Sequence, residues 1–360
     1  MMLLGGLSAC GGGETAEETP APSDTPEVQV VTVTPEAETP DPESTESVPA
    51  ETEAEPVGFV NPLTGEATET DISQNRPIVA MLNTIKQALP QSGNSKADLL
   101  IEVPEEGGIT RVMGVYQDLT DVGTLGTIRS TRDYFVQLTM GLDGLLVHAG
   151  GSASATEYLK SEGYSTLDFM SHGSLYWRDS YRKANVGTEH SLYTSSENLL
   201  NYLAGGTLRT QHEEGFVSPY VFTQDGTPEG GSSATTINVS FSSYKQTKFV
   251  YDASTKTYQV YAYGEPYVDE AADGAQVAVT NVIVIPTTQT TVDSEGHQDF
   301  DLSSGTGYYA CGGAYIPIQW SKGGSYDPLV FTNVDGTPLE LGVGKSYICI
   351  CGTDRTVTFE

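Results

Sequence analysis

Basic side chains are scarce. The 360 residues carry 17 Lys and Arg against 48 Asp and Glu, a formal charge of −31. Nucleic acid is bound by basic surfaces, so it is excluded as an expected partner. Histidine is equally thin, at five residues, and His172, His190, His212 and His297 show no His-x-x-x-His or comparable ligand spacing. No metal and no cofactor are therefore expected. Glycine is plentiful, but no glycine run has the spacing and the Lys-Ser/Thr pair of a phosphate-cradling loop. Long apolar runs are missing, and no segment approaches the ~20 residues of a membrane span.

What charge there is lies unevenly. Residues 1–60 hold 13 acids and no Lys or Arg, in a composition dominated by Glu, Thr, Pro, Ala and Ser. Such a stretch buries too little apolar surface to offset backbone entropy of roughly 1–2 kcal/mol per residue, so residues 11–58 are expected to be a disordered, extended stalk. Ahead of it, Leu7-Ser8-Ala9-Cys10 follows a short apolar run and resembles a bacterial lipobox. That resemblance implies lipidation at Cys10, with residues 1–10 as signal remnant and lipobox, and a chain anchored to a membrane rather than spanning it. Three more cysteines follow. Cys349 and Cys351 fall on one face of an expected strand. A disulfide from Cys311 to one of them and three buried thiols are both compatible with the spacing.

Order is expected from Phe59. Strand patterns at 78–82, 98–103 and 112–117 precede a helix that Ser130 would cap with Asp133 at its third position. A buried strand at 145–148 turns through Gly150-Gly151-Ser152 into a helix ending at Gly163, and another helix starts at Thr194-Ser195. After Gly226 the composition changes. A Gly230-Gly231-Ser232-Ser233 linker leads into short β-rich runs separated by turn signals. The fold class expected is α+β, with a mixed α/β domain over 59–228 followed by an all-β, sandwich- or barrel-like domain over 232–360.

An ordered set of short stretches carries a family resemblance. It includes Asn61-Pro-Leu-Thr-Gly65, Arg76-Pro-Ile-Val-Ala-Met81, Glu106-Gly-Gly-Ile-Thr-Arg111, Ile128-Arg-Ser-Thr-Arg132, His148-Ala-Gly-Gly-Ser152, Trp177-Arg-Asp179 and His190-Ser-Leu-Tyr-Thr194, then Asn281-Val-Ile-Val284, Gly305-Thr-Gly307 and Asp335-Gly336. Together they span most of residues 61–352 and resemble the YerB-like lipoproteins, a bacterial family of two adjoining domains of unknown function. The resemblance implies a lipid-anchored protein on the extracytoplasmic face of the bacterial cytoplasmic membrane, with a mixed first domain and a β second domain. It implies no activity and no catalytic residues. Where the family pattern has a Pro-His-Asn run, this chain reads Asn185-Val-Gly-Thr-Glu-His190.

In so acidic a chain, clustered arginines are informative. Arg129 and Arg132 flank Ser130 at one expected helix start, and His148, Gly150, Gly151 and Ser152 lead into the next. Helix N-termini and Gly-rich turns offer free amides to anions, and Arg adds bidentate recognition of phosphate or carboxylate. The expected ligand site comprises Arg111, Arg129, Ser130, Arg132, His148, Gly150, Gly151, Ser152, Arg178 and Arg182. Its ligand would be a phosphorylated glycan, a lipid-phosphate headgroup or a peptide carboxylate. Structural ion pairs with nearby carboxylates are the competing reading. Two further alternatives stand: a hydrolase or transferase on wall polymer using His148 with Glu102 or Glu106, and a partner for envelope proteins docking through the β domain. The β-domain tyrosines, Tyr244 to Tyr267, are read first as strand-packing residues, with a glycan or partner surface as the alternative.

Overall fold

A computed structural model describes residues 58–360. Cys10 and the stalk up to residue 57 lie outside the described residues.

The strands with unbroken apolar runs make the centre. Ile78–Asn83 (β1), Leu99–Pro104 (β2) and Thr110–Tyr116 (β3) are buried at every position. So is Leu145–His148 (β4), which is followed by the short Leu167–Asp168 (β5). Burial on both faces is the mark of interior, largely parallel strands. The remaining strands of this sheet come from the second half of the chain: Ser232–Ser233 (β6), Asn281–Thr287 (β7), Ser304–Cys311 (β8), Ala314–Ser321 (β9), Val330–Asn333 (β10) and Ser346–Gly352 (β11). The order across the sheet is β6-β9-β8-β7-β11-β2-β3-β1-β4-β5, with β10 on β9. Strands β7, β11, β2, β1, β4 and β5 run in one direction, and β3 runs against them between β2 and β1.

The second half is β-rich, as its composition implies, but it shares its sheet with the first. β11 inserts between β7 and β2, pairing Ile283 with Ile348 on one side and Ile348 with Ile101 on the other. Gly230–Ser233 is therefore not a hinge: Ser232 and Ser233 pair with Tyr315 and Ala314 at the sheet edge. Residues 58–360 lie within one compact unit.

Both faces of the sheet are covered. One side of β11, through Ile348 and Ile350, packs with helix Asp133–Gly141 (α1). The other, through Tyr347, Cys349 and Cys351, packs against a smaller antiparallel sheet built from Thr236–Ser240, Gln246–Asp252 and Thr257–Ala262. Those outer strands alternate buried and half-exposed positions, the signature of a sheet with one wet face. Cys349 and Cys351 do share a face, but it points into this core, and all three described cysteines are free thiols. Burial pushes the Cys349 and Cys351 thiols up, Cys351 to about 12.

Two helices frame the site. In Ala153–Glu162 (α2), Ser152 accepts from the Ala155 amide at 3.1 Å, and Gly163 ends the helix at φ +63°. Helix α1 departs from expectation. Its cap position is Arg132, and the Ser130 hydroxyl instead donates to the Ala149 carbonyl at 3.0 Å. A third, short helix, Ser180–Asn185 (α3), carries no amphipathic signal in the sequence, while Ser196–Leu203 (α4) is capped by Ser195 as expected.

One half-buried acid links the sheet to pH. Asp98 accepts from the Gln117 amide at 2.7 Å and from Asn61 at 3.0 Å, yet desolvation dominates and raises its carboxyl to about 6. A raised folded-state value means stability present below the unfolded value near 4 and lost as pH climbs to about 6. Urea unfolding across that window is expected to show this decline, and Asp98→Asn to flatten it.

Candidate functional site

The carboxyl ends of β1, β2, β4 and β5 lie along one edge of the sheet, where open α/β sheets place their ligands. Here the sequence-predicted cluster largely assembles. Segment Arg129–Arg132 lies beside segment Ala149–Ser152: the Ala149 amide donates to the Arg129 carbonyl at 3.0 Å, and the Thr131 amide to the Gly150 carbonyl at 3.0 Å. Arg111, at the start of β3, reaches across to the Ser130 carbonyl. Arg111, Arg129, Ser130, Arg132, His148, Gly150, Gly151 and Ser152 are thus neighbours.

Most of the expected donors are already committed. Arg132 grips Glu106 with two bonds, at 2.6 and 2.8 Å. Burial works against the Glu106 charge, but the Arg132 bonds outweigh it and lower its carboxyl below the usual range. Arg111 is buried in direct ion contact with Glu105, and desolvation lowers its guanidinium to about 10. Glu105 is fully buried, neither of its oxygens is hydrogen-bonded, and burial raises its carboxyl.

Two of the turn amides are not free either. Gly150 donates to Asp168 at 2.8 Å and Ser152 to the Thr131 carbonyl at 3.3 Å. Asp133 sits at the α2 N-terminus, accepting from the Ser152 and Ser154 hydroxyls at 3.3 and 2.9 Å. The adjoining cavity, about 460 Å³, is lined by Arg132 and His297 but also by Asp293 and Glu295. Of the three amides expected to cradle an anion, those of Gly150 and Ser152 are held by an intramolecular carboxylate and carbonyl, which leaves the turn the Gly151 amide.

Arg129 differs. Of the eight arginines, all within the described residues, it is the one whose guanidinium has neither a hydrogen bond nor an ion pair there. It is half-buried, with its Nε shielded from solvent. The Arg111, Arg129 and Arg132 charges formally exceed those of Glu105 and Glu106 by one.

The other two predicted arginines sit elsewhere. Arg178 donates to the Thr188 carbonyl at 2.6 Å. Arg182 donates to the Ala88 and Pro90 carbonyls at 2.9 and 2.7 Å and meets Glu270 at 3.1 Å, none of them residues of the cluster.

The residues of the catalytic alternative are each engaged separately. His148 is buried, with Nδ1 2.8 Å from the Gly150 carbonyl and Nε2 2.9 Å from the Thr166 hydroxyl. A carbonyl partner makes Nδ1 the donor, so Nε2 accepts, and burial lowers the imidazole further towards its neutral form. Its ring nitrogens are both used, and neither meets a carboxylate. Glu102 is held by Lys245, Thr110, Thr247 and Tyr347, and Glu106 by Arg132. No base–nucleophile pair forms from these residues.

Sequence reasoning missed several members of this edge. Asn83, which ends β1, contacts His190 Nδ1 at 2.9 Å, and burial lowers the His190 imidazole, with the nearby Arg129 and Arg182 charges adding to the effect. His297 approaches Glu106 at 3.6 Å from a distant hairpin. Only Glu105, next to Glu106 and close before Arg111, left a local trace, as an acidic pair beside a basic cluster.

The β-domain tyrosines divide. Tyr258 and Tyr267 are core residues, and Tyr244 is exposed. No group of three or more metal-binding side chains occurs among the described residues.

Comparison with known proteins fits this architecture. Residues 63–209 match the "Protein of unknown function (DUF3048) N-terminal domain" and residues 237–348 its C-terminal domain. The "Putative lipoprotein YerB" of Bacillus subtilis (strain 168) is 32% identical over 298 residues, covering 80% of this chain and 85% of the relative. The crystal structure of YerB protein from Bacillus subtilis superposes with a TM-score of 0.72 at 28% identity, covering 83% of this chain and 99% of that one. With both domains matched in order and that identity across four fifths of its length, the chain belongs to the family of YerB, built from the N- and C-terminal DUF3048 domains.

Proposed function

We propose that the chain is a lipid-anchored protein, held through Cys10 at the extracytoplasmic face of the bacterial membrane, whose N-terminal domain binds an anionic envelope ligand at Arg129. The ligand group is a phosphate or a carboxylate, as borne by a phosphorylated glycan, a lipid headgroup or a peptide terminus. The anchoring rests on the lipobox pattern and on the relative's name. The binding rests on one observation: a half-buried guanidinium without a partner among the described residues, at the carboxyl edge of the sheet, in a protein of net −31 whose other arginines are all engaged. Leaving such a group unpaired costs free energy that an anion would recover.

The test is calorimetric titration of the full chain with inorganic phosphate and with acetate as probes. A charged hydrogen bond contributes about 1.5–3 kcal/mol, so Arg129→Ala is expected to weaken phosphate binding roughly 10- to 100-fold. Its unfolding midpoint should change little, because the side chain has no partner to lose. Equal affinity in the variant and the parent would overturn the reading. Vesicles containing an anionic phospholipid, run alongside, separate a headgroup from a soluble phosphate.

A further inference from the structure

A second recessed surface lies away from the arginine cluster, where the two family domains meet. Its walls come from both: Leu89, Pro90 and Trp177 from the first, Glu270 and Ala271 from the second, around a cavity of about 520 Å³. That is the size range of small-ligand sites, which favour domain seams. Part of the lining is a flat aromatic. Trp177 pairs with Tyr193 across two short strands, with ring centroids 6.1 Å apart and planes 20° off parallel. Tyr193 is buried, and the Arg182 guanidinium stands 5.8 Å from its ring. Trp177 is therefore backed by Tyr193 while 40% exposed, and Tyr181 lines the same cavity at 71% exposure.

Around this plate the polar groups are mixed and uncommitted. The Gln87 amide, the Ser92 and Thr124 hydroxyls, the Trp177 indole N–H and the Tyr181 hydroxyl have no side-chain hydrogen bond among the described residues. Asp179 uses Oδ1 to cap α3, and Glu270 uses Oε2 on Arg182, which leaves a second oxygen of each open. The single cation, Arg182, has spent its donors on Ala88, Pro90 and Glu270. The balance of fixed charge is negative, so an anion is disfavoured here.

The walls are fixed across the seam. Asp269 is wholly buried and accepts from the Gly93 and Ser95 amides at 3.0 Å each and from the Ser95 hydroxyl at 2.6 Å, while the Glu270 amide donates to the Gln91 carbonyl at 2.7 Å.

We infer that this cleft binds a non-anionic saccharide, one sugar ring stacking its C–H face on Trp177 and its hydroxyls reaching the carboxylates, hydroxyls and amide of the rim. A flat apolar face ringed by both donors and acceptors matches a ring that is apolar on its faces and hydroxylated on its edge. The site is separate from Arg129 and does not depend on the anion reading.

The experiment is direct, because the chain holds two tryptophans and Trp320 is buried in the core. Intrinsic fluorescence of the full chain is titrated to millimolar concentration with cellotriose, maltotriose and tri-N-acetylchitotriose. At least one is expected to shift the Trp177 emission saturably. By calorimetry, Trp177→Ala should weaken that saccharide at least about tenfold and Tyr181→Ala to a smaller degree, both with unchanged circular dichroism and unfolding midpoint. Arg129→Ala should leave it untouched. No saturable response to any of the three, or equal affinity in Trp177→Ala, overturns the proposal. So does saturation by trilysine with no response to the sugars, which would assign the cleft to a basic peptide.

Discussion

Lys245→Met is expected to destabilise the fold by about 3–5 kcal/mol, among the largest losses of any single substitution in this chain. Lys245 is 2% exposed, and its ammonium lies 2.9 Å from Glu102 Oε1 and donates to Thr247 Oγ1 at 2.7 Å. Glu102 has no exposure at all. Its carboxylate also accepts from Thr110 at 2.5 Å, Thr247 at 2.7 Å and the Tyr347 hydroxyl at 2.8 Å. Removing the ammonium leaves a carboxylate buried without its counter-charge, and that residual desolvation, rather than the lost attraction, sets the size of the effect. The same physics predicts partial recovery. Glu102→Gln combined with Lys245→Met removes both charges and should be far less destabilised than Lys245→Met by itself. Urea unfolding of the four-member cycle reads the coupling. A double variant as unstable as the sum of the singles would show that the two charges do not act as a pair.

Asp269→Ala is expected to cost a similar amount, about 3–5 kcal/mol, because it strands several buried donors at once. The carboxylate serves the Gly93, Ser95 and Ala271 amides and the Ser95 hydroxyl. These groups belong to both family domains, so the loss should fall on the seam between them. Hydrogen exchange is the sharper measurement: the amides of Gly93 and Ser95 should exchange much faster, while those of β1 and β3 hold their protection. Asp269→Asn keeps the shape and one accepting oxygen, and about half the effect is expected. A uniform rise in exchange across the sheet would instead mean that the loop carries no separate local stability.

These two residues also mark where the sequence stops being informative. Helix α2 was legible because its signals are local: Ser152 before the helix and Gly163 after it act within one turn. The Arg129–Arg132 cluster was legible for the same reason, as were the apolar runs of β1 to β4. Ser130 was misread as a cap because its hydroxyl had a competing acceptor, the Ala149 carbonyl, just past the end of β4 and 19 residues away. Which arginine would be left unpaired was not legible, since Arg111 and Arg132 differ from Arg129 only in the acids that folding brings to them. The Glu102–Lys245 pair, the insertion of β11 and the aromatic cleft are all long-range. Asp269 and Ser95 are 174 residues apart, and nothing in either neighbourhood announces the other. The two family domains share one sheet, which the sequence did not announce. Strand β11 has the composition of a central strand, but composition does not say whose centre.

The position of β11 has a consequence for the order of events in synthesis. The strand that joins the two halves of the sheet pairs residue 347 with residue 100, and its Tyr347 hydroxyl bonds a side chain 245 positions earlier. Until residues 346–352 are made, β2 and β7 each present a bare apolar edge on the side that β11 fills. Loop closure over that separation is slow, and exposed strand edges recruit wrong partners meanwhile. A polypeptide wired this way completes its central sheet only once residues 346–352 are available, so the earlier strands wait for that one late segment.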